Sequence, residues 1–199
     1  MTPERALAFL AFSVVAAGTP GPSNVLLAAT GATVGLARGV PCLLGVGVGM
    51  GALMFSVVFG LGRLVLGHPT VLAALHWIGG AYLLWLAWKI AAADADDPAV
   101  DRRPVGFAGA AAFQWINPKS WIVCASAAAT YLTAQSGSAL MQALTLATLF
   151  VGAALPCGAV WLGFGAAAQR LLRTRRARRA FNVAMASVLA LSVLLTAWS

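Results

Sequence analysis

Near its start the chain reads Thr19-Pro20-Gly21-Pro22-Ser23-Asn24, set inside an otherwise apolar run. A second polar cluster, Gln114, Asn117, Pro118 and Lys119, interrupts another apolar run far downstream. Proline inside a helix removes a backbone hydrogen bond and costs about 3 kcal/mol, so each cluster predicts a broken helix. A break frees carbonyls on its N-terminal side and N–H groups on its C-terminal side. The half-helix that starts near Ser23 offers a positive dipole end suited to an anionic group. The Ser23 hydroxyl and the Asn24 amide stand beside it. Lys119 has no acidic partner in any apolar segment, and an uncompensated ammonium in a bilayer costs at least a few kcal/mol. A lysine beside a helix start suits a carboxylate. The chemistry predicted is binding of a small solute at Pro20, Gly21, Pro22, Ser23, Asn24, Gln114, Asn117, Pro118 and Lys119. Tyr82, in the middle of a third apolar run, carries a hydroxyl that wants a partner and joins the candidates. Plainer readings stand beside these: a simple kink at the prolines, and a Lys119 that snorkels to an interface.

The elements that must carry these residues follow from composition. The chain has 199 residues, 61% of them hydrophobic and 9% charged, with a mean hydropathy of +0.88. Soluble domains carry about 25% charged residues, so the class is all-α integral membrane protein. Six segments reach the roughly 20 apolar residues needed to span a bilayer: residues 6–30, 40–66, 70–93, 105–133, 139–168 and 180–198. The first is read as a retained span and not a cleaved signal peptide, since five apolar segments follow it. A polar linker at 94–104 holds four of the five acidic residues. It divides a single transmembrane domain, 1–199, into repeat one, about 1–93, and repeat two, about 105–199. Each half opens on a span broken at proline and continues with a glycine-rich span. Three spans per half require the second half to insert upside down, giving two inverted three-helix repeats. Non-helical backbone at membrane depth is tolerated only in protein or beside a wet cavity, and paired interrupted spans point to the binding site of secondary transporters.

Charge sets the orientation. Arg38, Lys89, Arg102, Arg103 and the cluster Arg170, Arg173, Arg175, Arg176, Arg178 and Arg179 fall on the odd-numbered loops, against Arg5 and Arg63 on the other side. The positive-inside rule then puts the odd loops in the cytoplasm and both termini outside it. The cluster at 170–179 is expected to meet anionic lipid headgroups, and no nucleic acid is expected. Gly45, Gly47, Gly49 and Gly51 have the spacing of close helix packing and would also permit a homodimer. Cys42, Cys124 and Cys157 lie in apolar runs without metal-site spacing and read as buried thiols. No paired carboxylates, Ser/His/Asp set or phosphate loop is present, so neither an enzyme nor a cofactor is expected.

With these motifs in place, the chain resembles the LysE/RhtB family of bacterial amino-acid exporters. The likeness rests on "TPGPSN" at 19–24, the glycine-rich second span, "IGGAYLLWLAWK" at 78–89, "NPK" at 117–119, and the last span with Arg179 and Asn182. It covers nearly the whole chain. The resemblance implies six helices in two inverted repeats, residence in the bacterial inner membrane, and export driven by the proton motive force. It also implies that the P-G-P and N-P-K regions line the route. Family members usually place Asn or Asp directly after P-G-P; here Ser23 intervenes, and Ala186 stands where glycine is expected.

The spans contain no Asp or Glu, which favours small neutral amino acids or related metabolites over cationic ones. It leaves the proton to the substrate itself or to a histidine. The expected function is export of such solutes by alternating access. Two alternatives compete with it. One is a membrane thiol-redox carrier using Cys42 and Cys157, each next to a proline; the other is an exporter of a metal ion or other small solute. Few hard ligands exist for a metal, and a scaffold without transport would leave the matched breaks unexplained.

Overall fold

In a computed structural model of the chain, the described residues are 1–62, 65, 67–92, 105–132, 138–172 and 174–197. The polar linker 94–104, Arg63 and Arg173 lie outside them. The described residues form seven α-helices and no strand: α1 Pro3–Gly18, α2 Pro22–Ser56, α3 Pro69–Ala92, α4 Phe107–Ile116, α5 Pro118–Tyr131, α6 Ala139–Leu171 and α7 Arg175–Ala197, with a π-helical turn Val57–Leu61 extending α2. Among them, Pro22–Leu61, Ala139–Ala168 and Arg176–Leu194 are long and apolar enough to cross a membrane. Large apolar side chains such as Leu7, Trp77 and Val160 face outward, as a protein surrounded by hydrocarbon permits.

The helix ends follow the prolines. Pro22 and Pro118 each occupy a first helical position, where the missing N–H has no intrahelical partner to lose. α1 stops at Gly18, and Thr19 to Gly21 run extended before α2 begins. α4 stops at Ile116 and α5 starts two residues later.

A loop between the first two segments, at about 31–39, was the expectation from hydropathy; the helix instead continues on both sides of a single turn at Gly35. Its φ of 78° and ψ of 179° belong to a region essentially reserved for glycine. Contacts with α6 show the chain reversing there. Before the turn, Leu27 and Gly31 meet Gly158 and Leu162; after it, Gly39, Leu43, Gly47 and Gly51 meet Leu162, Gly158, Leu155 and Val151. α6 thus packs along both arms of a helical hairpin. Thr30 and Cys42 pair across its base, hydroxyl to sulfur at 3.7 Å.

The glycines of the second arm serve two faces. Gly45 and Gly49 lie against the backbone of α4 at Phe107 and Ala111, while Gly47 and Gly51 receive Leu155 and Val151 of α6. Interleaved i, i+4 pairs let one helix be approached closely from two sides. Two apolar clusters result. One joins Phe9, Met50, Leu53, Trp121 and Phe150; the other joins Leu27, Val46, Leu83, Leu162 and Leu189. The cavity described next is lined from both.

Candidate substrate site at the two helix breaks

The two breaks meet. Lys119, at the start of α5, reaches back across the molecule and donates from Nζ to the Thr19 carbonyl at 2.8 Å, with the Pro20 carbonyl at 3.5 Å. The carbonyls at and just beyond the end of α1 lack continuing helical partners, and side-chain and backbone donors answer them. Thr19 N–H caps Val15 O. Asn24 Nδ2 donates to Ala17 O at 2.9 Å and to Thr19 O at 2.8 Å. Trp161 of α6 donates from Nε1 to Gly18 O at 3.2 Å. The negative end of the α1 dipole thus faces the Lys119 ammonium, the favourable sense.

A second network ties the start of α2 to the break between α4 and α5. Ser23 donates its hydroxyl to Gln114 Oε1 at 3.0 Å and accepts from Asn117 Nδ2 at 3.2 Å. Ser120 also donates to Gln114 Oε1, at 3.1 Å, and Gln114 Nε2 holds the Ala110 carbonyl at 3.2 Å. Asn117 caps its own helix, its Oδ1 accepting from Lys119 N–H at 3.1 Å. Gln114, Asn117 and Ser120 are buried. A buried polar network with every member paired is rigid, because breaking any bond strands its partner in a low dielectric.

Between these networks lies a cavity of about 50 Å³, lined on its polar side by Gly21, Ser23, Asn24, Gln114, Asn117 and Lys119 and elsewhere by side chains such as Leu27, Met50 and Phe150. At roughly 10–15 Å³ for one water in this measure, it takes a few water-sized groups, the scale of a small solute. No acidic residue lines it. Among the described residues no group of three or more His, Cys, Asp or Glu is placed to hold a metal ion.

Six of the ten residues singled out from sequence line the cavity. Pro20 contributes its carbonyl, and Pro22 and Pro118 set the helix starts. Tyr82 is placed elsewhere: it is 37% exposed, its ring packs on Trp85 and Phe113, and it does not line the cavity. Sequence reasoning missed Ser120, Trp161 and Gly79. Gly79 of α3 backs the second break, where a Cβ would overlap the Ile116 carbonyl and sit 3.1 Å from Pro118 Cδ. Its signal was the "IGGAY" motif; Trp161 had none.

Apolar helices packed around a small polar-walled cavity at two interrupted segments fit a membrane transporter. The comparisons make this specific. A family model, LysE type translocator, matches residues 14–197, and the chain belongs to that family. A cysteine/O-acetylserine efflux protein of Salmonella typhi is 33% identical over 136 residues, 68% of this chain and 70% of the relative. A protein of the same description from Escherichia coli O157:H7 is 29% identical over 189 residues, 95% of each chain. No solved structure matches significantly.

Proposed function

We propose that the chain is a secondary transporter that exports small neutral amino acids or related metabolites from the cytoplasm by alternating access, coupled to the proton motive force. The observation that carries this reading is the Lys119 ammonium, set beside a cavity at two meeting helix breaks with no carboxylate in its lining. A solute carboxylate would pair with Lys119 and with the N–H groups that open α2, where Gly21 supplies no side-chain cap. The uncapped N–H end and the ammonium give that carboxylate two partners on one wall. A cationic side chain would meet no acid there. The relatives' names, which speak of cysteine and O-acetylserine, fall within the same class of small neutral solutes.

The six-span plan with inverted repeats belongs to this reading. Its support is the matched order of elements: in each half a helix stops and a proline-headed helix follows, then comes a long glycine-bearing stretch, the second arm of α2 in one half and α6 in the other, and a last helix. In this reading the odd loops face the cytoplasm of a bacterial inner membrane, both termini face out, and the arginines near 170–179 meet anionic lipid. Gly45, Gly47, Gly49 and Gly51 are covered within the chain, so a homodimer contact would lie away from them.

The test is export from cells fed dipeptides, with extracellular amino acids quantified with and without the protein. Accumulation of one or a few neutral amino acids only when it is present supports the reading. Accumulation of none, or of lysine or arginine alone, overturns it.

The redox alternative has its own discriminating result. Cys42 and Cys124 are buried in different apolar clusters, Cys157 lies 3.8 Å from the Val14 carbonyl, and all three are free thiols. Replacing all three with alanine is expected to leave amino-acid export unchanged at matched abundance. A carrier of thiol equivalents would lose all activity in the same variant.

A further inference from the structure

We propose that the carbonyls of Thr19 and Pro20 are the subsite for the solute's α-ammonium group, and that Lys119 occupies this subsite as a tethered stand-in until a zwitterion displaces it. The proposal deepens the exporter reading and rests on it.

The backbone supplies the acceptors. Beyond Gly18 the chain is extended, so the Thr19 and Pro20 carbonyls belong to no helix ladder. They extend the negative end of α1. The neighbouring freed carbonyls are held by uncharged donors, Ala17 O by Asn24 and Gly18 O by Trp161. The Thr19 and Pro20 pair faces a primary ammonium, at 2.8 and 3.5 Å, with Thr19 O shared between Lys119 and the Asn24 amide. A primary ammonium is also the group that every α-amino acid brings.

Space at this point is made by glycine. Gly21 has φ and ψ of −178°, a backbone any residue adopts. Glycine leaves room for the lysine, since a Cβ there would stand 2.9 Å from both Cδ and Nζ of Lys119 and would displace the end of that side chain.

The exchange keeps charge paired throughout. A zwitterion places its ammonium on the two carbonyls. The displaced Lys119, on its four-carbon stem, then pairs with the carboxylate of the same molecule. An amine without a carboxylate would evict Lys119 and give it no partner in a cavity without acids. A carboxylate without an ammonium would draw Lys119 away, leaving the Pro20 carbonyl without its ammonium and the Thr19 carbonyl with Asn24 alone. The arrangement selects zwitterions without using an acidic residue.

The experiment uses purified full-length protein, in detergent for ligand-induced melting shifts and in vesicles for counterflow. The probes are cysteine and serine, the matched amines cysteamine and ethanolamine, and 3-mercaptopropionate. Wild type is expected to respond to an amino acid and to neither the amines nor the acid. Lys119→Met, which empties the subsite, is expected to gain affinity for the matched amine by about tenfold or more, the scale of one hydrogen bond to a charged group, while losing affinity for the amino acid. Lys119→Gln, which keeps an uncharged donor, is expected to gain less; it also serves should the Met variant fail to fold. Amine binding no stronger in either variant than in wild type overturns the proposal, as does wild type binding an amine as well as its amino acid. A wild type that moves an amino acid while the variants gain nothing refutes the subsite alone. A wild type that moves neither amino acid overturns the proposal together with the exporter reading for these two solutes.

Discussion

Export by Lys119→Ala is expected to fall about 10- to 100-fold at matched membrane abundance, because hydrogen bonds to charged groups contribute about 1.5–3 kcal/mol. The ammonium sits where the two breaks meet and is the titratable group on the cavity wall. Its removal leaves a carboxylate without its cation. Lys119→Arg is expected to fail nearly as badly. A guanidinium is wider and planar, and it is not a conservative replacement for an ammonium. The space beside Gly21 is already filled by the lysine stem. Initial rates of export from dipeptide-fed cells, normalised to protein in the membrane, decide the matter. Equal export by wild type and Lys119→Ala would reduce Lys119 to a structural clasp between the breaks and remove it from the binding site.

What the sequence exposes here depends on the range of the physics involved. The breaks were legible because proline acts on its own backbone: Pro22 and Pro118 head helices whatever surrounds them. Lys119 was legible because no acid in the apolar segments can neutralise it. The pairing of Ser23 with Gln114, 91 residues away, was not, since it depends on how finished helices assemble. The same holds for Trp161, an indole donor inside an apolar run that acquires meaning only when α6 lies against the end of α1. Gly35 illustrates a different limit. Gly31, Gly35 and Gly39 share the i, i+4 spacing of close helix packing. Gly31 and Gly39 do face Leu162, but Gly35 is the turn itself. Composition cannot separate a glycine needed for closeness from one needed for a positive φ. Tyr82 shows that a mid-span hydroxyl does not by itself choose the cavity side, because its ring can pack outward on other aromatics.

Two glycines two residues apart in α6 should behave oppositely, and this tests the helical hairpin directly. A Cβ on Gly165 would overlap the carbonyl of Ala28, with its Cα at 2.9 Å. Both are backbone atoms of a packed helix, so no rotamer change makes room. Gly163 has nothing within 4 Å of the added atom. Gly165→Ala therefore forces α6 away from the first arm of α2. Overpacking of this kind costs about 1–3 kcal/mol, offset in part by alanine's better helix propensity of up to about 1 kcal/mol. Gly163→Ala keeps that gain and meets no clash. The expected result is a melting temperature in detergent lowered by several degrees for Gly165→Ala, at about 2–4 °C per kcal/mol for a chain of this size. Gly163→Ala should be unchanged or slightly raised. Gly165→Leu, which adds bulk at the same contact, is expected to drop below detectable folded protein. The displaced arm carries Ser23 and Asn24 at its start, so surviving Gly165→Ala protein should also transport more slowly per molecule. If both alanine variants melt alike, α6 does not lie against the first arm at this register. The cavity wall formed by Leu27 and Gly158 would then have to be redrawn.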